Sequence, residues 1–412
     1  MELTEYMTES KSQTVADHHR RRTFLAATGA VGAGTLSGCL GRFNHLGTGS
    51  VSVGYALPFE GTYGTLGESI VNGFELRVEQ LGGLGGREVE FHRESTGADP
   101  EQGVVGTRRL LADADVDFVI GPVSSAVAAE MAPVIDEVGS AIWLNPNATN
   151  DRLVKNCMTK YHFRTCGSIW HYSAAMGPWA YQNIGGRAVI TYADYAAGQQ
   201  YVENFVSEYR SVGGTVVDQL PVPLGTDDFS PALSRLAEID ADAIYTFFAG
   251  GDAINYIKQL HEAGVTERMR QLGAGFLVSA DTLPAQGEAA LGTISILNYT
   301  PWKQNQRNRE FVASYHDRYD TLPNTYACDG FDCATVVDQA LDAADMNTDA
   351  LIGAIEGMRV DSPRGFLELD ANTHDAIQNM DIREVVRGPE GNPINEVIDT
   401  LERQQVPWEC NL

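Results

Sequence analysis

Lysine is almost missing from this chain. Of its 412 residues only Lys11, Lys155, Lys160, Lys258 and Lys303 are lysines, and 29 basic side chains face 55 acidic ones for a formal charge of -26. A surface of that sign repels nucleic-acid phosphates and anionic lipid heads, which excludes nucleic acid as a partner. At near-saturating salt the Debye length falls to about 3 Å or less and the self-repulsion of the carboxylates is screened, so the composition reads as halophilic.

Catalytic signatures are missing too. No Gly-x4-Gly-Lys-Ser/Thr occurs, no Gly-x-Gly-x-x-Gly follows a strand, and there is no Gly-x-Ser-x-Gly elbow. His261-Glu262 lacks a second histidine four residues on, the nine histidines are scattered, and no Cys-x-x-Cys or Cys/His pair offers a metal set. The expectation is a protein without cofactor or metal that is not an enzyme.

What is present begins with an address. Arg20, Arg21, Arg22, Thr23, Phe24 and Leu25 open a small, apolar, charge-free stretch to about Gly38, too short to span a bilayer. Paired arginines followed by x-Phe-Leu resemble a twin-arginine export signal, and Leu36-Ser37-Gly38-Cys39 resembles a lipobox whose cysteine is lipidated after cleavage. Residues 1–38 read as the signal and 39–49 as a linker, with Cys39 holding the chain on the outer face of the cell membrane. The signal carries four acidic and four basic residues, so the mature chain keeps the whole negative excess.

With 43% hydrophobic residues the chain has enough apolar surface for two medium domains. From residue 50 short β-branched runs alternate with helical periodicity for nearly 350 residues, the pattern of an α/β fold. Strands are expected at 51–58, 89–92, 116–120, 141–144, 188–192, 215–217, 243–247 and 271–278. Helices are expected at 68–80, after Asp99-Pro100, from 125 to about 138, and at 169–183, 199–212, 231–239 and 252–263. Further helices fall near 307–319, 329–344 and 348–357, and alternation in 359–388 suggests terminal hairpin strands. The two α/β series suggest two lobes of similar design.

Setting Cys39 aside leaves five cysteines in an oxidising exterior. Cys157 and Cys166 flank a short segment able to fold back and are a candidate bridge. Cys328 and Cys333 are poorly spaced to pair with each other, and one of them is a candidate partner for Cys410.

Several strands end in small or polar residues just before a helix, where an open α/β sheet has its ligand crevice and where helix N-termini offer unpaired N–H groups. Gly121, Pro122, Val123, Ser124 and Ser125 form one such end, and Asn145, Pro146, Asn147, Ala148 and Thr149 a second. Ala193, Asp194, Tyr195, Ala196, Ala197 and Gly198 form a third, and Phe247, Phe248, Ala249, Gly250, Gly251 and Asp252 a fourth. A cleft lined by caps and aromatics without a nucleophile or base describes binding, not catalysis.

These residues resemble a known family, the periplasmic-type solute-binding proteins of ABC importers for branched-chain amino acids and related molecules. The resemblance spans roughly 50–388 and rests on Leu57-Pro58-Phe59 with Gly61, Leu66-Gly67, the glycine run 82–86 before Arg87, and Ala98-Asp99-Pro100. It continues through Ile120 to Ser125, Phe163-Arg164-Thr165, Asp194-Tyr195, Gly225 to Phe229 and Ala249 to Ala253. It implies two doubly wound α/β lobes joined by a three-crossover hinge, the type I periplasmic-binding-protein-like fold. Lobe I would take 50–165 plus about 302–362, and lobe II 166–301 plus about 363–412. It also implies a monomeric, lipid-anchored receptor that passes a small polar metabolite, an amino acid first and an amide, urea or aromatic acid as the alternative, to a membrane ABC permease. A ligand-sensing module is the rival.

By the same resemblance Ser125 would bond the ligand carboxylate, with Ser124 and nearby N–H groups assisting, and Asn147, Ala148 and Thr149 would hold the α-carboxylate and ammonium. Tyr195 beside Asp194 would close from the opposite lobe, where the backbone at Ala249 and Gly250 meets the ligand. Two positions depart from the amino-acid binders: Leu66 stands where they place an aromatic, and Gly275-Phe276 where they place an acid. Either Asp194, Asp252 or Asp329 would then be the ammonium's partner, or the ligand has no ammonium, as with the amide, urea and aromatic-acid binders of the same broad family. Phe59, Tyr63, Phe247, Phe248 and Tyr326 are candidate walls.

Asn147-Ala148-Thr149 and Asn298-Tyr299-Thr300 are glycosylation sequons. A sugar in a ligand turn blocks access, so Asn147 is expected bare while Asn298 is open to use. Peptide mapping of the native protein reads both, and glycan on Asn147 removes that turn from the site.

Overall fold

The computed structural model describes residues 49–410, so the export signal and Cys39 lie outside the described residues. Two parallel sheets of the same design carry the chain. The first holds β1 (Val51–Leu57), β2 (Val89–Ser95), β3 (Phe118–Ile120), β4 (Ile142–Asn145) and β5 (His162–Arg164) in the order β2-β1-β3-β4-β5. The second repeats that order with β6 (Arg187–Ala193), β7 (Thr215–Val222), β8 (Ala243–Phe247), β9 (Arg270–Ala274) and β10 (Ile294–Leu297), running β7-β6-β8-β9-β10. On its β10 edge it adds antiparallel β12 (Ala376–Arg387), which pairs with β11 (Leu367–Leu369) and β13 (Pro393–Gln404).

Strands buried on both faces read as continuous apolar runs, as Val51–Leu57 and Ala243–Phe247 do. Helices cover each sheet. Gly64–Leu81 and Thr325–Ala343 close the first, whose core gathers Val53, Phe74, Phe118, Ile142, Phe163 and Val337. Ala196–Ser211 and Gly250–Glu262 flank the second, over cores built on Tyr245, Phe205 and Leu272 on one face and Ile244, Tyr256 and Leu277 on the other. The chain passes between the lobes after β5, returns after β10 to form Thr325–Ala343, and passes again between Thr348–Ile355 and β12.

Where the chain crosses, charged side chains are buried. Arg164 is wholly enclosed and grips Asp375 through both carboxylate oxygens, Nε to Oδ1 at 2.8 Å and Nη2 to Oδ2 at 2.6 Å. Arg364, also enclosed, pairs with Asp329 at 3.0 Å and Asp332 at 2.7 Å, and donates to the Thr165 carbonyl at 2.6 Å and to Gln378 Oε1 at 3.0 Å. Asn298 on the second crossing donates to Asp329 and Gln378 and accepts from Thr325. One polar network therefore ties all three crossings.

The structure corrects several expectations. The bridge is Cys157–Cys410, with Cα atoms 5.7 Å apart; Cys166, Cys328 and Cys333 are free and buried. Asn298 is fully buried in the crossing network and is not a glycan acceptor. The strand expected over 271–278 ends at Ala274, because Leu277 and Val278 turn into the lobe core as a 3-10 turn. The helix expected over 169–183 begins at Met176, since residues 168–171 are held in turns by Ser168, His171 and Asp151.

Burial pushes the Asp329 carboxyl up to about 8, with Arg364 opposing and Asp332 adding to the rise. The folded protein thus holds a proton that the unfolded chain releases near 3.8, so this group's contribution to stability falls as pH rises from 3.8 to about 8. Asp329→Asn should make the denaturation midpoint less sensitive to pH across that window than in the parent. An unchanged slope would contradict the assignment.

Candidate functional site

In both lobes the strand order reverses beside the first strand, between β1 and β3 and between β6 and β8. A crevice opens at such a switch point, outside the carboxyl ends of the strands. The segments leaving these ends are residues 58–63, 121–125, 145–149, 194–196 and 248–250.

In lobe I, Gly121 makes the turn. Its φ is +136°, and a Cβ there would lie 2.1 Å from the Ala56 carbonyl oxygen, so no other residue fits. Trp143 Nε1 donates to the Gly121 carbonyl at 2.5 Å. Ser124 then caps Ser125–Val138, its Oγ accepting from Val127 N at 3.5 Å, and Ser125 Oγ accepts from Asn150 N at 3.2 Å. The N–H groups of this first turn have no intrahelical acceptor.

The 145–150 turn is framed from inside. Asn145 Oδ1 accepts from Asn147 N and Ala148 N, and its Nδ2 donates to the Ala148 carbonyl and to His162 Nε2. Burial pushes His162 down to about 3, with Arg164 adding, so the ring stays neutral and free to accept. Arg164 donates to the carbonyls of Asn150 at 3.1 Å and Ala148 at 3.5 Å. Ala148 is fully buried with both backbone groups committed, which makes it part of the frame. Asn147 donates through Nδ2 to the Val123 carbonyl and joins the two turns, and the Thr149 carbonyl accepts from Ile169 N.

Lobe II presents two helix N-termini. Ala196–Ser211 follows Tyr195 and Gly250–Glu262 follows Ala249, and neither capping position supplies a side-chain acceptor. Gly64–Leu81 in lobe I, after Tyr63, also lacks a side-chain cap, as do Met176–Asn183 and Ser230–Glu238 in lobe II, whereas the helices that follow Asp99, Asn305, Asn324 and Asn347 are capped by those side chains. Uncapped N–H groups and a partial positive charge suit a carboxylate. Close packing holds the third turn in place, since a Cβ on Gly198 would lie 1.9 Å from the Ala193 carbonyl oxygen.

Tyr195 is 36% exposed with its ring centroid 6.3 Å from that of Phe247. Burial pushes its hydroxyl up to about 12, and Tyr63 from the other lobe and Asp252 add to the rise. Tyr326 is raised by burial and feels Asp281, Asp329 and Tyr63. Tyr63, Tyr195 and Tyr326 thus converge from both lobes, and Phe276 packs against both cores between them. Phe248 belongs to the core of lobe II and is not a wall of the cleft, and Phe59 lies under Arg93 at 4.5 Å. Asp194 accepts from Gln199 and Asp252 from Gly225 N, while Asp329 is committed to Arg364.

Arg164, Asn145 and Phe276 shape the site without having been singled out as binding residues; the first two were legible only as polar residues at strand ends. Among the described residues no group of three or more His, Cys, Asp or Glu side chains is placed to hold a metal. No helix among them is long and apolar enough to cross a membrane. The arrangement can bind an anion with hydroxyls and main-chain amides.

A family model described as periplasmic binding protein matches residues 50–390. A Leu/Ile/Val-binding protein homolog from Brucella melitensis is 27% identical over 368 residues, 87% of this chain and 93% of that one. An ABC transporter substrate-binding protein from Sphaerobacter thermophilus aligns with a TM-score of 0.82 and 29% identity, covering 86% of this chain and 98% of the other. An R. palustris solute-binding protein in complex with benzoate aligns with a TM-score of 0.75 and 30% identity, covering 85% and 96%.

Proposed function

Because the chain belongs to the periplasmic binding protein family, we propose that it is an extracellular, lipid-anchored receptor that captures a small monocarboxylate in its cleft and delivers it to an ABC permease. The observation that supports this is the matching strand-order reversal in the two lobes, with the Ser124 and Ser125 hydroxyls at a helix start in lobe I and two helix N-termini without side-chain caps in lobe II. Ser125 and Thr149 receive the carboxylate, with Ser124 capping the helix that presents it and Asn147 bracing the turn. Tyr195 and the amides following Ala249 and Gly250 meet the solute from lobe II. Closure removes water and strengthens each of these bonds.

An apolar or aromatic body suits Tyr63, Tyr195, Tyr326 and Phe276. Phe276 stands where the amino-acid binders carry an acid, and Asp329 is tied to Arg364. An aromatic acid is therefore the leading ligand, in line with the benzoate carried by the R. palustris relative. An amino acid is the second reading, favoured by the Leu/Ile/Val-binding relatives, and it assigns the ammonium to Asp252 beside Tyr195. The protein turns nothing over.

Calorimetry in molar salt against benzoate, 4-hydroxybenzoate and leucine tests this. One equivalent of a carboxylate should bind in the cleft, and Ser125→Ala with Thr149→Val should weaken that equivalent at least about ten-fold, the value of a lost hydrogen bond to a charged group. Binding of none of the three, or binding indifferent to both substitutions, would overturn the assignment. For the anchor, Cys39→Ser should move the protein from the membrane fraction to the medium, and continued membrane retention would remove the lipid from the account.

A further inference from the structure

A second, partly open cavity lies beside the cleft and shares only Tyr326 with the binding residues above. This cavity of about 300 Å³ is walled by residues 279–284 and 388–395 of lobe II, by the 297–302 crossing, and by residues 321–326 where Thr325–Ala343 begins. Its walls are mainly apolar, with Leu283, Leu297, Trp302 and Ile394 among them.

Arg383 also lines it, on β12, and is 2% exposed. A guanidinium carries five N–H donors. Nη1 donates to the Tyr299 carbonyl at 3.0 Å, and Nη2 to the Gly275 carbonyl at 3.3 Å and to Ser295 Oγ at 3.0 Å. That leaves one Nη1 proton and Nε–H, and Nε has no hydrogen-bond partner. No carboxylate is bonded to any of its nitrogens. The nearest on its own strand, Asp381, is already paired with Lys303 at 2.5 Å and accepts from Thr400. Asp381 offsets the Arg383 charge without bonding to it, and a buried N–H donor left unpaired is costly.

The other wall groups refine the ligand. Asn395 Oδ1 is buried without a donor, while its Nδ2 is committed to the Val278 carbonyl. Asp281, exposed at the rim, accepts from Ser279 and has acceptor capacity to spare. We propose that this cavity is a second binding site, for a small monocarboxylate with an apolar body and a hydrogen-bond donor: the carboxylate on Arg383 and the donor toward Asn395 or Asp281. Because the walls come from both lobes and the crossing between them, an occupant bridges the lobes and favours the arrangement seen here.

The proposal stands apart from the cleft reading, so its test uses a chain with the cleft weakened by Ser125→Ala and Thr149→Val, compared with the same chain carrying Arg383→Met in addition. Leucine and 4-hydroxybenzoate, an ammonium and a hydroxyl donor on a carboxylate, are titrated by calorimetry. 3-Methylbutylamine, which lacks the carboxylate, is the control. At least one of the two carboxylates should still bind with one equivalent, and the amine should not. Arg383→Met should abolish this binding. Ala280→Trp, at an exposed rim position that leaves the guanidinium and its carbonyls untouched, should weaken it at least ten-fold. Absence of binding to the cleft-weakened chain, or binding that survives both substitutions, overturns the second site and leaves the cleft assignment standing. Loss of all binding in the parent as well would overturn both.

Discussion

Two buried guanidinium groups set the relation between the lobes. Arg164 on Asp375, and Arg364 between Asp329 and Asp332, sit where the chain passes from one lobe to the other, fully removed from water. Breaking such a pair by removing one partner costs about 3–5 kcal/mol, because the survivor is left charged in a medium that cannot solvate it. Burial alone would raise Asp375, and the Arg164 charge beside it outweighs this and holds its carboxyl below the usual range. Arg164 also carries the carbonyls of Ala148 and Asn150, so the geometry between lobes and the geometry of a ligand turn rest on one side chain.

On that frame the binding site is a consequence of sheet topology. Each lobe reverses strand order beside its first strand, each reversal leaves a gap at the carboxyl ends, and the helices that begin there turn their N–H groups into it. Gly121 and Gly198 let backbone approach backbone closely enough for those helix starts to be fixed in place. Preorganised amides lose little freedom when a carboxylate arrives, so affinity comes from complementarity and not from reactive groups.

Alternation of apolar runs and amphipathic helices made the α/β architecture and the four turns readable in advance. Short or irregular elements were not readable: β5 is only His162–Arg164, β10 only Ile294–Leu297, and β13 has the mixed polarity of an exposed edge. The crossing network was invisible for a different reason. Its partners lie far apart, 211 residues between Arg164 and Asp375, and no local period marks such a pair. The same distance hid the Cys157–Cys410 bridge, 253 residues apart, behind the nearer candidate Cys166. Nothing in the alternation of residues 359–388 marks Arg383 as a buried side chain.

A crystal structure of the mature chain grown with its bound carboxylate speaks most directly to the account. The carboxylate should lie within hydrogen-bonding distance of Ser125 and Thr149, its body between Tyr63 and Tyr195, with Arg164 still on Asp375. A ligand seated away from both switch points, with these turns facing bulk water, would contradict it.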